Sequence, residues 1–196
     1  MKLRRFAALA AICGAALALL GVSGARRATI SQVNASSDFT NFESDPVHPI
    51  CLSPDGKRLF ALNVADARLS VFDVTPTGLI PVDEIPVGLE PVSLAARSAN
   101  EVWVVDHLSD DVSIVDVNAG NVVKTLHVGD EPTDVVFAGT AGNDFAYVCL
   151  SQPDQIRAFN AATLTPVGLP IPVFSEDPRA LAVSPDRSKV YAAAFE

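Results

Sequence analysis

From residue 48 onward, short apolar runs alternate with turn-forming residues, and no helical period separates one run from the next. Within the runs apolar and polar positions alternate, as in Leu69–Asp73 and Val112–Asp116. Alternation with a period of two indicates strands that bury one face and expose the other. The pattern therefore predicts an all-β region made of many short strands.

The runs repeat in units of about 42 residues, a period that indicates a repeat architecture. Each unit opens with a proline and an apolar stretch, and the prolines Pro49, Pro91, Pro132 and Pro178 are 42, 41 and 46 residues apart. A second strand follows in each unit and carries an aromatic residue at one register: Phe60, Trp103, Tyr147 and Tyr191. Four short strands per unit predict β-propeller blades. A β-sandwich has similar strand spacing but would not repeat one turn and one aromatic at a fixed period.

Residues 48–196 divide into the units 48–89, 90–130 and 131–176 and a partial unit, 177–196. This is roughly three and a half blades, whereas closed propellers have about four to eight. We therefore predict an incomplete propeller of four-stranded antiparallel blades with an open arc, either the N-terminal part of a longer propeller or a truncated product. Residues 26–47 are predicted to be an N-terminal segment, in which Phe39–Phe42 could supply a closing strand.

The units resemble the YVTN-type β-propeller repeats of bacterial exported and surface-layer proteins. The positions that match the name-giving strand are Phe60–Asn63, Trp103–Asp106, Tyr147–Leu150 and Tyr191–Ala194. The glycine-x-x-proline connection of the family matches Gly88–Pro91 and Gly129–Pro132, and its valine-isoleucine-aspartate strand matches 71–73 and 114–116. The resemblance covers residues 48–196 and implies a propeller. A WD40 assignment is disfavoured because valine follows the only tryptophan, Trp103.

Residues 1–25 have the organisation of a secretory signal peptide. Lys2, Arg4 and Arg5 precede the apolar run Phe6–Leu20, and small residues allow cleavage after position 24 or 25. The alternative is an uncleaved anchor, but about 15 apolar residues are fewer than the roughly 20 that span a bilayer. The chain is therefore predicted to be exported to the periplasm, the cell surface or the medium, with no stable membrane span after cleavage.

The chain is acidic, with a formal net charge of −9. Removal of the signal takes three of the 14 basic residues, which leaves 11 against 23 acidic ones, a net charge of −12. Such a surface repels phosphate backbones, so nucleic acid is excluded as a partner. Cys51 and Cys149 fall two blades apart, too far for a disulfide, and are predicted to be buried small apolar residues.

Motifs that would name an enzyme are absent. The sequence has no phosphate-binding glycine loop, no His-Glu-x-x-His and no Gly-x-Ser-x-Gly. Cys-x-x-Cys-His, the haem attachment pattern, is also missing, and the one methionine is Met1. The sequence therefore favours a protein without its own catalytic residues, metal or cofactor.

Repeat symmetry supplies the candidate site. The residue before each repeat proline is His48, Glu90, Glu131 or Asp177, and propeller geometry places these connections beside the second-to-third turns. Carboxylates on such a rim could hold a cation or steer a basic partner, although acidic loop residues in an acidic protein are also common as plain solvated surface. Asp106 and His107, at the end of a second strand, join the candidate ligand-binding set.

Two function classes follow from these observations. The first is an exported, non-catalytic binding or scaffold module that engages a protein or small ligand through its loop face. The alternative is the propeller part of a periplasmic redox or lactonase-like enzyme, whose catalytic or cytochrome portion lies outside this chain. A third hypothesis is a structural protein of the surface-layer type. Fold does not convey function, so the sequence leaves this choice open.

Overall fold

The structure, a computed structural model, describes residues 44–140 and 143–195. No helix among these residues is long and apolar enough to cross a membrane. The predicted signal peptide and closing strand lie outside the described residues. The strands are β1 (Ile50–Leu52), β2 (Arg58–Asn63), β3 (Arg68–Thr75), β4 (Gly78–Pro86), β5 (Pro91–Ala96), β6 (Glu101–Asp106), β7 (Asp111–Asp116), β8 (Asn121–His127), β9 (Pro132–Thr140), β10 (Asn143–Leu150), β11 (Gln155–Asn160), β12 (Thr165–Pro172), β13 (Pro178–Val183) and β14 (Val190–Ala194).

The strands pair in chain order into small antiparallel sheets, which we call blades. Blade 1 is β1–β4, blade 2 is β5–β8 and blade 3 is β9–β12, while β13 and β14 form a two-stranded blade 4. All four-stranded blades have their first strand at one edge and their fourth at the other. The blades form an open arc, which confirms the predicted incomplete β-propeller.

Apolar side chains hold successive blades together, because a separate buried cluster lies between each pair of neighbours. Alternate side chains of strand β6 belong to two different clusters. Val102 and Val104 pack in the cluster with blade 1, and Trp103 and Val105 pack in the cluster with blade 3. Since successive side chains of a strand point to opposite faces, a strand buried on both faces needs an unbroken apolar run.

The repeated aromatic faces the next blade along the chain. Phe60 is buried against blade 2, and Trp103 is buried against blade 3, where its ring meets Phe137 edge-on at 5.4 Å and 84°. Tyr147 packs partly buried in the cluster with blade 4. Tyr191 occupies the same register in blade 4, where no further blade is described, and it is 55% exposed.

The two matching turns have the same hydrogen bonds. Ser53 Oγ donates to Asp55 Oδ1 at 2.6 Å, and the backbone N–H of Arg58 donates back to Ser53 Oγ at 2.9 Å. Ser184, Asp186 and Lys189 repeat this pattern at 2.6 and 3.0 Å. The hydroxyl therefore closes the turn between the first and second strands in both units.

Cys51 and Cys149, the cysteines of the described residues, are unpaired, as expected from their positions in β1 and β10. Cys149 is buried and Cys51 is partly buried. Burial raises the pKa of both thiols to about 11. Because the thiolate is the reactive form, both side chains have low reactivity at neutral pH.

Candidate functional site

One face of the arc is built from the connections between blades and the turns between second and third strands. Backbone hydrogen bonds tie each connection to the end of the next blade's second strand, and the bond recurs in three blades. The pairs are His107 N–H to Glu90 O, 2.9 Å, Ser151 N–H to Glu131 O, 3.0 Å, and Phe195 N–H to Asp177 O, 3.2 Å. We call the surface formed by Glu90, His107, Asp110, Asp130, Glu131, Asp154, Glu176 and Asp177 the acidic face.

The residue before the repeat proline has a left-handed backbone in three connections. Glu90, Glu131 and Asp177 have φ of 50°, 49° and 50°, a conformation that L-residues rarely adopt. Side chains of the neighbouring turns hold two of them in place: Asp110 Oδ1 accepts from Glu131 N–H at 3.0 Å, and Asp154 Oδ1 accepts from Asp177 N–H at 2.9 Å. The turn carboxylates therefore act as braces for the connections.

Two adjoining cavities open on the acidic face and share the side chains of Glu131 and Gln152. The first, of about 510 Å³, is lined by Ser44, Glu90, His107, Leu108, Asp110, Asp130, Glu131 and Gln152. The second, of about 360 Å³, is lined by Glu131, Ser151, Gln152, Asp154, Glu176, Asp177 and Arg179. Both volumes are within the range that accepts a side chain or a small molecule.

Negative charge dominates both cavities. Four acidic residues line each cavity, whereas the basic groups are His107 in the first and Arg179 in the second. Arg179 is partly engaged, since its Nε lies 3.9 Å from Asp177 Oδ1. Concave surfaces lined by one sign of charge focus the electric field and concentrate ligands of the opposite sign. The arrangement suits a cationic ligand or a basic protein surface.

A metal site needs several ligand side chains that converge on one point. Among residues 44–140 and 143–195, no group of three or more His, Cys, Asp or Glu side chains converges closely enough to hold a metal ion. Glu131 is the carboxylate shared by both cavities, and its Oε2 accepts a hydrogen bond from Ser151 Oγ at 3.2 Å. The cation-holding role of the predicted rim therefore stays a prediction.

Asp106 and His107 lie at the base of the acidic face. His107 is buried except for its cavity-lining edge, and its Nδ1 is 3.0 Å from the carbonyl oxygen of Pro132. Asp106 is fully buried, and its Oδ2 accepts from Ser113 Oγ at 2.6 Å. Asp106 therefore lies beneath the acidic face, and its ligand-binding role stays a prediction.

Asp106 stands directly opposite Asp111 across the β6–β7 pair, and both residues are buried. Burial raises the pKa of Asp106 to about 8, with a further rise from the neighbouring charge of Asp111. Burial also raises the pKa of Asp111, although Asp106 and His127 act in the opposite direction. Both pKa values are therefore raised, mainly because burial disfavours the charged carboxylates.

His48 lies apart from the other predicted rim residues. Its backbone makes a parallel bridge to Ser93 of β5, and its φ is not in the left-handed region of Glu90, Glu131 and Asp177. Its side chain is half exposed, and its Nδ1 contacts Asp134 Oδ1 and Oδ2 at 3.1 and 3.0 Å. The repeat proline therefore aligned His48 with Glu90, Glu131 and Asp177, although its backbone conformation differs from theirs.

Asp134 is a fully buried carboxylate of blade 3 that bonds to both neighbouring blades and to the segment before blade 1. Besides His48, it accepts hydrogen bonds from Ser93 Oγ at 2.6 Å, from Leu181 N–H at 2.6 Å and from its neighbour Val135 N–H at 2.8 Å. Blade 3 is thus bonded through one side chain to blade 2, to blade 4 and to the segment that enters blade 1.

Sequence reasoning missed Asp134, Asp110 and Asp154 as functional positions. Asp110 and Asp154 carried a usable signal, because both end the turn after a second strand, 44 residues apart. Asp134 carried none, since its partners are 41, 47 and 86 residues away in the chain.

No protein-family model and no curated protein matches the chain. Solved structures do. The chain is similar to Kuenenia stuttgartiensis hydrazine synthase, with 27% identity and a TM-score of 0.67 over 79% of this chain and 44% of that one. It is also similar to a putative 6-phosphogluconolactonase from Bacteroides uniformis, with 18% identity and a TM-score of 0.60 over 79% and 56% of the two chains.

A third neighbour is a functionally unknown protein from Desulfotomaculum acetoxidans, with 16% identity and a TM-score of 0.58 over 74% and 50% of the two chains. The hydrazine synthase and the lactonase-like protein have β-propeller-type folds, in agreement with the four-stranded blades seen here. The chain spans about half the length of the solved structures that it matches. At these identities the two more distant neighbours establish the fold alone.

Proposed function

We propose that this chain is a non-catalytic binding module whose acidic face engages a basic segment of a partner protein. The observation that carries the proposal is the pair of adjoining cavities, which are lined by carboxylates and share Glu131. Electrostatic complementarity of this kind speeds encounter and selects partners of opposite charge. The braces from Asp110 and Asp154 support the proposal, because they hold the connections that bear Glu131 and Asp177.

Binding of a fluorescein-labelled oligolysine peptide, followed by fluorescence anisotropy, tests the proposal. Glu90→Gln with Glu131→Gln removes two carboxylates from the larger cavity and keeps side-chain size. We expect this double variant to bind about fivefold more weakly at about 0.05 M salt, because two exposed charge pairs contribute about 1 kcal/mol together. The difference should shrink at about 0.3 M salt, where screening is stronger.

The matched control is Asp83→Asn with Glu84→Gln, which removes the same net charge from the exposed outer strand β4. If the control weakens peptide binding as much as the cavity variant, the attraction belongs to the whole acidic chain and the proposed face is wrong. Unchanged circular dichroism in both variants establishes that charge, rather than folding, was altered.

An enzymatic role is the second candidate, and the names of two structural neighbours favour it. In that case the chain would be the propeller part of a redox or lactonase-like enzyme whose reacting groups lie elsewhere. The acidic face opposes a phosphorylated lactone as its ligand, because carboxylates repel an anionic substrate. Hydrolysis of such a lactone by this chain would overturn the non-catalytic proposal.

The proposal includes export and membership of the YVTN-type repeat proteins. Both are supported by the sequence: the basic and apolar organisation of residues 1–25, and the recurrent strand and Gly-x-x-Pro motifs of residues 48–196. We expect the protein isolated from the periplasm or medium to begin after Gly24 or Ala25. An N-terminal sequence that retains Met1 would count against cleavage and favour an anchor.

A further inference from the structure

We propose that Asp106 and Asp111 share a single proton in the folded protein, and that loss of this proton loosens the β6–β7 turn which shapes the acidic face. The effect on binding rests on the proposed function of the acidic face. The shared proton itself can be tested without any partner.

The geometry calls for a proton between the two side chains. Asp106 and Asp111 are direct cross-strand partners, so their side chains stand next to each other on the same face of the sheet. Oδ1 of Asp106 and Oδ1 of Asp111 are both buried, and neither has a donor among the described residues. Two carboxylates in contact away from water repel each other strongly, whereas an acid and a carboxylate form a short hydrogen bond.

Other blades carry no such pair at this register. Asn63 stands opposite Arg68 in blade 1, and Leu150 stands opposite Gln155 in blade 3. A neutral residue therefore fits the end of the second strand, and the fold does not require an acid there. The paired aspartates are a property of blade 2 alone among the three four-stranded blades.

The groups packed around the pair act on its charge in opposite directions. Gly88 lies against Asp106, since a Cβ on that glycine would lie 2.5 Å from Asp106 Cγ. Ser113 donates to Asp106, Asp110 in the same turn adds negative charge, and His127 on β8 is the nearby group whose charge favours ionised Asp111. No Lys or Arg in the described part of the chain forms an ion pair with either aspartate.

The turn that this pair closes bonds to both neighbouring connections. The backbone N–H of His107 donates to Glu90 O, while Asp110 Oδ1 accepts from Glu131 N–H. The other ionisable groups around the turn are His107, Glu90, Asp130 and Glu131. Ionising both aspartates would push β6 and β7 apart where this turn begins, and both connections would lose their fixed partner.

The sign of the pH effect follows from proton binding. An aspartate in the unfolded chain releases its proton near pH 4, whereas burial raises the pKa of Asp106 in the folded chain to about 8. Between about pH 4 and pH 8 the folded state binds one more proton than the unfolded state. The stability of the fold therefore falls as pH rises through this window, by up to tenfold per pH unit in the folding equilibrium constant.

Urea unfolding of the full chain at about pH 5, 6, 7 and 8 tests the inference. We expect Asp106→Asn to remove most of the parent's loss between pH 5 and 8, because an amide donates a hydrogen bond without ionising. Asp111→Asn should act in the same way and serves if Asp106→Asn does not fold. Glu84→Gln, an exposed acid on β4, is the control and should keep the parent's slope.

A local measurement identifies the turn as the part that responds. Amide hydrogen exchange of His107 and Glu131, corrected for its intrinsic pH dependence, should accelerate in the parent near pH 8 and stay slow in Asp106→Asn. Equal pH slopes in the parent and both variants would overturn the shared proton. That result would leave oligolysine binding untouched, whereas failure of oligolysine binding would leave the pH slopes untouched, so the two proposals fail separately.

Discussion

At the scale of single residues, buried acids contribute more to the stability of the fold than exposed ones. Asp134 is fully buried and accepts from four donors: an imidazole, a hydroxyl and two backbone amides. Each donor belongs to a different part of the arc, so one side chain positions the inner strands relative to each other. A buried acceptor that satisfies several donors is costly to remove, because each donor is left without a partner.

Asp134→Ala should therefore destabilise the fold by about 3–5 kcal/mol, because Ser93, Leu181 and His48 lose a common acceptor. Urea unfolding at neutral pH measures the change. The control Asp83→Ala, on the exposed strand β4, should cost less than about 0.5 kcal/mol. A loss below about 1 kcal/mol for Asp134→Ala would show that the blades hold together without this carboxylate.

At the scale of elements, the Gly-x-x-Pro connection is explained by close packing. Gly88 lies against Asp106 and Gly129 against Leu150, so in both connections the glycine meets the last residue of the next blade's second strand. The φ of Gly88 lies outside the left-handed region, whereas Gly56 has φ of 68° and open space around it. Gly88 is therefore needed for space, and Gly56 for backbone conformation.

Gly88→Ala should destabilise the fold by about 2–3 kcal/mol, because its Cβ would lie 2.5 Å from Asp106 Cγ and the connection must move. Gly56→Ala should cost about 1 kcal/mol, the price of the left-handed conformation alone. Thermal unfolding of both variants gives the comparison. Equal losses would mean that the connection has room to adjust and that the close approach does not constrain it.

At the scale of the whole molecule, the arc is asymmetric in both packing and charge. Blade 2 is covered on both sides and contributes to two apolar clusters, whereas Tyr191 and Phe195 at the end of blade 4 remain exposed. One face carries the cavities lined by carboxylates, in a chain with a net charge of −9. The acidic face is therefore a surface that spans several blades, and no single blade could supply it.

Internal repetition made the strands and blades predictable. The second strands of the first two units, Arg58–Asn63 and Glu101–Asp106, contain the predicted aromatics Phe60 and Trp103, because turn residues and apolar alternation are local signals. The aromatic register was also predictable, since it recurs once per unit. The location of Glu90, Glu131 and Asp177 on one face followed from the same repetition.

Sequence repetition misplaced His48, because Pro49 resembles the other repeat prolines while the segment before it pairs with Ser93 of β5. Repetition also could not reveal that Asp106 is buried beneath the face. In the sequence, Asp106 and the acids of the turns all lie near strand ends, so nothing local distinguishes the buried acid from the others. Burial depends on which neighbour covers a side chain, and here the cover is Gly88 from the preceding blade's connection.

The sequence by itself determined the all-β architecture, the blade period and the acidic character, because strand alternation, turn chemistry and charge are properties of short stretches of chain. Only the tertiary structure decided that Asp134 joins the blades, that Asp106 and Asp111 form a buried pair, and that Glu131 is common to two cavities. These depend on distances between residues far apart in the chain, and a packed fold is what brings such residues together.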